Sequence, residues 1–326
     1  MTSPDAELQH LKQQRPEWQP WLVVVEEILR ETGAPAWDAA VPVDLRQPQL
    51  HEQHEQHEPH RERPHEQQRE QRHDERRPPL LAGATLALPM RPVQRLWQRL
   101  IQTASRSGMP KMASITPALH AADGNAARLF TAAICQDAGV MTDIAARTDA
   151  DGEALQALAA LLPMPFLHAC NRRWASDARA RSWAEGYCPI CAAWPAFAEV
   201  RGIERSRYFR CGRCSAEWYA RALCCPYCGT DAHDDLDTLV PEPGQNNSNA
   251  VIEACKRCHG YVKALTRLSA CPPGTVMLED LATVDLDVAA LAHGFKRPAA
   301  AGFAFTLTVS DTGTGINKTR RLFAWR

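Results

Sequence analysis

Charge of one sign is missing from this chain. Its 326 residues carry 37 Lys+Arg against 38 Asp+Glu, which excludes a general polyanion-binding field. Long apolar runs are missing too. The best candidates fall short of the ~18 residues a membrane span needs. Residues 21–29 contain Glu26 and Glu27, and 157–167 are broken by Pro163 and Pro165. The N-terminus, Met-Thr-Ser-Pro-Asp-Ala-Glu, has no basic n-region or apolar h-region, so no secretory signal is expected and the location follows as cytoplasmic. Also absent are a Ser/His/Asp order, a phosphate-binding Gly loop and a paired-carboxylate motif. No catalytic constellation of these kinds stands out.

Cysteine is what the chain has instead. Twelve cysteines without an export signal point to reduced, metal-bound thiols rather than a disulfide framework. Eight of them form four Cys-x-x-Cys doublets: Cys188/Cys191, Cys211/Cys214, Cys225/Cys228 and Cys255/Cys258. Two intervening residues let both sulfurs reach one ion from a single turn. In Cys188-Pro-Ile-Cys and Cys225-Pro-Tyr-Cys-Gly the proline stiffens the turn, and Gly229 supplies positive φ.

Order and spacing pair Cys188, Cys191, Cys211 and Cys214 in one tetrahedral site, and Cys225, Cys228, Cys255 and Cys258 in a second. An interleaved pairing would make the chain cross itself. Cys224 abuts Cys225, but Cys225 carries the knuckle pattern. Cys135 and Cys170 lie on apolar faces as small buried hydrophobes, and Cys271 has no doublet partner. His259 is a turn residue beside a full site. The expected cofactors are two metal ions, iron or zinc, because four thiolates suit both.

Three uses of such doublets compete. Dithiol redox chemistry wants a doublet at a helix start, whereas these sit among strands. A nucleic-acid ribbon wants a basic footprint, yet residues 185–271 hold ten Lys/Arg and ten Asp/Glu, with only 201–213 locally basic. Tyr208, Phe209, Trp218 and Tyr219 could stack bases but fill small cores more readily. A rubredoxin-like electron carrier is the third use.

The surrounding sequence divides the chain. Over 17–32 an apolar helical stripe (Trp18, Trp21, Leu22, Val25, Ile28, Leu29) ends at Gly33, within an N-terminal helical segment, 1–50. Residues 51–77 are a His/Glu/Gln-rich insertion, with His51, His54, His57, His60, His65 and His73, too polar to order itself. Helical periodicity fills 78–184: Val93, Leu96, Trp97, Leu100 and Ile101, then 126–146, 153–162, and a helix through Phe166, Leu167, Cys170 and Trp174. Short β-prone stretches then lead into and out of the doublets, giving small metal modules at 185–222 and 223–275. A helix over 278–293 and a loose tail from Gly302 fill 276–326; Asp280, Asp285 and Asp287 read as a solvated helix face. The fold class is α+β: an N-terminal helical domain, two rubredoxin-like or zinc-ribbon modules, and a C-terminal helix.

From Gly186-Tyr-Cys-Pro-Ile-Cys onward the chain resembles the FdhE family of formate dehydrogenase accessory proteins. The likeness runs through Arg207-Tyr-Phe-Arg-Cys-Gly-Arg-Cys-Ser-Ala-Glu-Trp, Cys225-Pro-Tyr-Cys-Gly and Glu253-Ala-Cys-Lys-Arg-Cys-His-Gly-Tyr-Val-Lys. It continues through Glu279-Asp-Leu-Ala-Thr-Val-Asp-Leu-Asp and Gly294-Phe-Lys-Arg, and is strongest over 186–297. The resemblance implies a cytoplasmic maturation factor that binds the immature catalytic subunit of a respiratory formate dehydrogenase. It also implies a ligand role for all eight doublet cysteines, with no nucleic-acid partner; a homo-oligomer is compatible with it. Ala192 stands where the family's first knuckle has glycine, and neither the 51–77 insertion nor the tail follows the family pattern.

Overall fold

The structure, a computed structural model, describes residues 3–42, 76–113, 115, 126–148, 150–241 and 249–313. Of the His/Glu/Gln-rich insertion only Arg76 and Arg77 fall among them, so its six histidines lie outside the described residues. Helix α1 (Pro4–Gln14) opens on Ser3, whose hydroxyl accepts from Ala6 N. The stripe read over 17–32 forms α2 (Gln19–Thr32), which ends at Gly33; α3 (Pro35–Ala40) follows. The helical domain continues with α4 (Met90–Arg106), α5 (Pro110–Ala113), α6 (Ala126–Cys135), α7 (Ala138–Thr148), α8 (Gly152–Leu161), α9 (Met164–Trp174) and α10 (Ala178–Arg181). The apolar face of α4, from Val93 through Leu96, Leu100 and Ile101, packs on α2 and α6. Helices α8 and α9 abut across Leu162-Pro163. Together they are long and apolar enough to cross a membrane, but 78% of their most apolar stretch is buried inside the fold. Burial in a protein core accounts for that composition.

Strand β1 (Thr85–Leu88) has no counterpart in the sequence reading. It pairs in parallel with β8 (Thr308–Asp311), near the chain's end. The tail is thus not loose throughout. Gly302 N donates to Ala192 O at 2.9 Å and Gly83 N to Thr306 O at 2.8 Å, so residues 302–312 close over the helical domain. The pairing partner lies over two hundred residues away in sequence, which local pattern does not reveal.

The two four-cysteine modules share one six-stranded sheet, ordered β4-β3-β2-β7-β6-β5. The first contributes β2 (Phe197–Arg201), β3 (Ser206–Arg210) and β4 (Glu217–Tyr219). The second contributes β5 (Leu236–Leu239), β6 (Ala250–Cys255) and β7 (Tyr261–Arg267). Neighbours within each module are antiparallel, and the modules join through a parallel β2–β7 pair in which Phe197 faces Lys263 and Arg201 faces Arg267. The first strand of one module therefore meets the third strand of the other. Three short strands form a marginal sheet; six sharing a ladder bury both central strands.

The expected helix over 278–293 is two helices, α11 (Val276–Ala282) and α12 (Val284–Ala292), separated at Thr283. Thr283 Oγ1 donates to Glu279 O at 2.8 Å, a local bond that competes with helix continuation. Of the three aspartates read as a solvated face, Asp285 is exposed, but Asp280 and Asp287 are not free in solvent. Lys263 is fully buried on β7, and its Nζ lies 2.6 Å from Asp280 and 2.8 Å from Asp287. Arg297 meets the same two carboxylates at 3.2 and 2.8 Å, and Tyr261 Oη donates to Asp287 at 2.7 Å. Asp285 reaches Arg15 of the N-terminal segment. The charges along the helix were visible; their partners, distant in sequence, were not.

Candidate metal centres

Each doublet makes the same turn. In three of them the residue four past the first cysteine donates its backbone N–H to that cysteine's carbonyl: Ala192 N to Cys188 O at 3.0 Å, Ser215 N to Cys211 O at 3.0 Å, Gly229 N to Cys225 O at 3.0 Å. The residue after the second cysteine takes positive φ in all four turns: Ala192 at 58°, Ser215 at 59°, Gly229 at 71° and His259 at 55°. This conformation lets the chain double back and present both sulfurs on one side. Gly229 adopts it freely, and His259 is the turn residue its position suggested. Ala192 adopts it under strain, with Ala193 O accepting from Cys188 N at 2.8 Å. Ala192→Gly is therefore expected to stabilise the fold by about 1 kcal/mol. A denaturant melt that leaves the midpoint unchanged or lowered would contradict the strain.

The sulfurs gather as two groups. Cys188, Cys191, Cys211 and Cys214 form one, and Cys225, Cys228, Cys255 and Cys258 the other, with the ligand atoms of each group within 4.8 Å of one another. Sulfur separations are 3.4 Å for Cys188–Cys214, 3.6 Å for Cys191–Cys211 and 4.0 Å for Cys191–Cys214. In the second group they are 3.6 Å for Cys225–Cys258 and 3.7 Å for Cys228–Cys255. Metal–sulfur bonds of about 2.3 Å at tetrahedral angles give an edge of ~3.8 Å. Both groups therefore have the donor chemistry and the size for one four-coordinate ion. Ile190 N and Arg213 N lie 3.4 Å from the Cys188 and Cys211 sulfurs, positioned to donate to thiolates.

Charge argues the same way. Burial drives the Cys188 and Cys214 thiols well above the ordinary range. Hydrogen bonds from the other three sulfurs hold Cys191 well below it. A sealed pocket of this kind accommodates a full set of thiolates only with a cation among them.

The two groups differ in access. All four sulfur residues of the first are 0% exposed, and they share a single core with Phe130, Leu158 and Leu167 of the helical domain. Backbone bonds run from Leu80 N to Pro189 O at 2.7 Å and from Leu81 N to Ile190 O at 3.3 Å. Gln136 Nε2 donates to Cys191 O at 3.2 Å, and Arg213 caps the carbonyls of Ala133 and Ile134 at the end of α6. His168 on α9, buried and held neutral with its pKa lowered to about 4 by desolvation and then by Arg172, sits 3.3 Å from Ser215 Oγ. None of these links was legible in the sequence, because helix and doublet signals carry no information about each other. The second group stands apart in a small cluster with Tyr227, Trp194 and Leu236, and Cys228 and Cys258 are partly exposed.

Aromatic rings connect the two. Tyr187 meets Trp194 edge-on at 5.9 Å between centroids, and Trp194 meets Tyr227 at 5.0 Å. Gly186 lies so close to Pro226 that a Cβ would overlap the Pro226 carbonyl. The aromatic residues weighed in the sequence as base-stacking or core-filling separate here: Trp218 and Phe209 are buried against each other, whereas Tyr219 is 59% exposed. The spare cysteines stay out of both groups. Cys170 and Cys271 are buried, and Cys271 N donates to the buried Glu199 at 2.9 Å. Cys224 Sγ accepts from Arg221 Nη2 at 3.3 Å. Unequal burial should appear as unequal metal release. In a chromophoric chelator the second site should empty first and the first only with unfolding; simultaneous release at one rate would contradict the difference.

Fold and sites together define a helical domain that carries tandem modules, each with a four-cysteine group able to hold a metal ion. Among curated proteins the chain is similar to the FdhE homolog of Stutzerimonas stutzeri, 34% identical over 145 residues, 44% of this chain and 46% of that protein. It is also similar to the FdhE homologs of Aquifex aeolicus (30% identical; 35% of this chain, 40% of that protein) and Shewanella baltica (32% identical; 34% and 36%). The resemblance to the FdhE family is borne out over these segments, and the chain spans less than half the length of the curated relatives it matches. No family model matches the chain. A crystal structure of the FdhE protein from Pseudomonas aeruginosa aligns over 93% of this chain and 97% of that one, with a TM-score of 0.49 and 20% identity.

Proposed function

We propose that this protein is a cytoplasmic accessory factor in the maturation of respiratory formate dehydrogenase. It binds the immature catalytic subunit and is not itself an enzyme. The reading rests on the similarity to FdhE homologs together with the two four-sulfur groups. Each group holds one iron or zinc ion, bound by Cys188, Cys191, Cys211 and Cys214 in the first site and by Cys225, Cys228, Cys255 and Cys258 in the second. The first ion locks the helical domain to the sheet, since its ligands lie in their common core. The helical domain and modules together form the docking surface for the client. Deleting the gene, where no second copy exists, should abolish formate dehydrogenase activity while leaving transcript levels intact; activity that persists would end the proposal.

One observation favours a second reading. Cys228 and Cys258 are partly exposed, the arrangement a rubredoxin-like electron carrier needs at its donor face. That reading requires iron at the second site with reversible one-electron bleaching of its thiolate charge-transfer bands. A colourless, zinc-loaded protein from anaerobic cells would eliminate it.

A further inference from the structure

Beside the second four-cysteine group opens a cleft of about 1210 Å³, lined on one side by Cys225, Cys228 and Cys258 and on the other by β3 and the end of β4. Small-molecule pockets run to roughly 1,000 Å³, so this cleft has room for more than a small ligand. Its charge is one-sided. Arg76, Arg207, Arg221 and Arg257 line it against a single acidic residue, Glu185. In a chain that is neutral overall, and in a module region balanced ten to ten, that local excess stands out.

Arg76 donates to Gly302 O at 3.0 Å and Arg207 is held internally, but Arg221 and Arg257 are not consumed by internal pairing. Arg257 is exposed and has no hydrogen-bond or ion-pair partner among the described residues. Arg221 pairs with Asp231 at 3.0 Å, but both are well exposed, so the pair is weak and exchangeable. Arg207 is 5% exposed, held over the Phe209 ring at 4.5 Å, fixed by Glu253 and donating to Arg221 O at 2.9 Å, so it adds positive charge to the cleft wall without offering a free donor.

The cleft also borders a sheet edge. Strand β4 ends the six-stranded order, so one side of its backbone has no strand partner among the described residues, and Tyr219 and Ala220 line the cleft. Unpaired strand groups beside a row of arginines and aromatic faces suit an extended chain bearing carboxylates.

We infer that this cleft binds an extended acidic polypeptide segment of the client protein, its carboxylates on Arg221 and Arg257 and its backbone along β4. The inference rests on the accessory-factor reading in taking the client as the source of the segment. Thiolate–metal charge at the second site is a competing use for the arginines, and peptide binding separates the two.

The test uses the full-length, metal-loaded chain and a fluorescein-labelled peptide of alternating glutamate and valine, read by anisotropy. A twin peptide with glutamine for glutamate is the control. The acidic peptide should bind saturably and lose affinity with added salt, and the glutamine twin should not bind. Arg221→Gln with Arg257→Gln should weaken binding about tenfold, two exposed pairs' worth, with metal content unchanged. No binding at low salt, binding indifferent to the two substitutions, or displacement of the peptide by pyrophosphate or an oligonucleotide at lower concentration would each overturn the inference. If the peptide binds as expected but formate dehydrogenase catalytic subunit is not retained by the same protein, the accessory-factor reading fails while the acidic-peptide cleft stands.

Discussion

Cys211→Ser is expected to unfold the protein, whereas Cys228→Ser leaves it folded with one metal ion. The contrast follows from where the sulfurs lie. Cys211 is fully buried in the core that joins the sheet to the helical domain, while Cys228 is partly exposed in a small cluster of its own. Structural zinc contributes about 10–16 kcal/mol in isolated fingers, and a domain's whole stability is roughly 5–15 kcal/mol. Losing one buried ligand also leaves three thiolates sealed from water without full compensation. Circular dichroism and metal analysis on the same samples read both outcomes. A Cys211→Ser protein that melts cooperatively near the parent temperature would contradict the structural role of the first site.

Lys263→Ala is expected to destabilise the fold by about 3–5 kcal/mol, and Lys263→Met by somewhat less, because methionine restores the volume but not the charge. Removing the ammonium and its stem strands Asp280 and Asp287 beneath the sheet with only Arg297 to meet them, and empties a fully buried volume. Methionine keeps the volume. The same cluster carries a pH dependence. Burial acts to raise the Asp280 carboxyl, but Lys263 and then Arg297 outweigh it and hold the carboxyl below its ordinary range. A carboxyl depressed in the folded state contributes stability that is present above its unfolded pKa and lost as pH falls through its folded one. The parent should therefore lose stability on acidification below about pH 4, and Asp280→Asn should lose less across that same interval. Parallel urea midpoints for parent and Asp280→Asn across the acid range would contradict the assignment.

Local signals in the sequence reached the parts of this protein built from local rules. The helical stripe at Trp18–Leu29, the apolar face of α4 and the four turns all depend on residues a few positions apart. The grouping of the eight cysteines was legible because order and spacing leave few ways to close two rings. What escaped depends on distant partners. The shared sheet rests on a parallel pairing between Phe197–Arg201 and Lys263–Arg267, with no turn to announce it. Asp280 and Asp287 look solvated on a helix and become half-buried and paired only when β7 brings Lys263 to them. Ala192 shows a different limit. Its departure from glycine was plain, but the structure holds the turn and places the cost in backbone conformation.

The account's central claim is that one chain carries two four-thiolate metal centres in the service of formate dehydrogenase maturation. Anaerobic purification of the tagged, full-length protein from its native host, with metal analysis and identification of co-purifying proteins on one sample, tests it most directly. The expected result is two iron or zinc ions per chain, together with the catalytic subunit of formate dehydrogenase. A protein that folds without metal, or one that carries two ions yet never retains that subunit under conditions where the enzyme is being made, would contradict it.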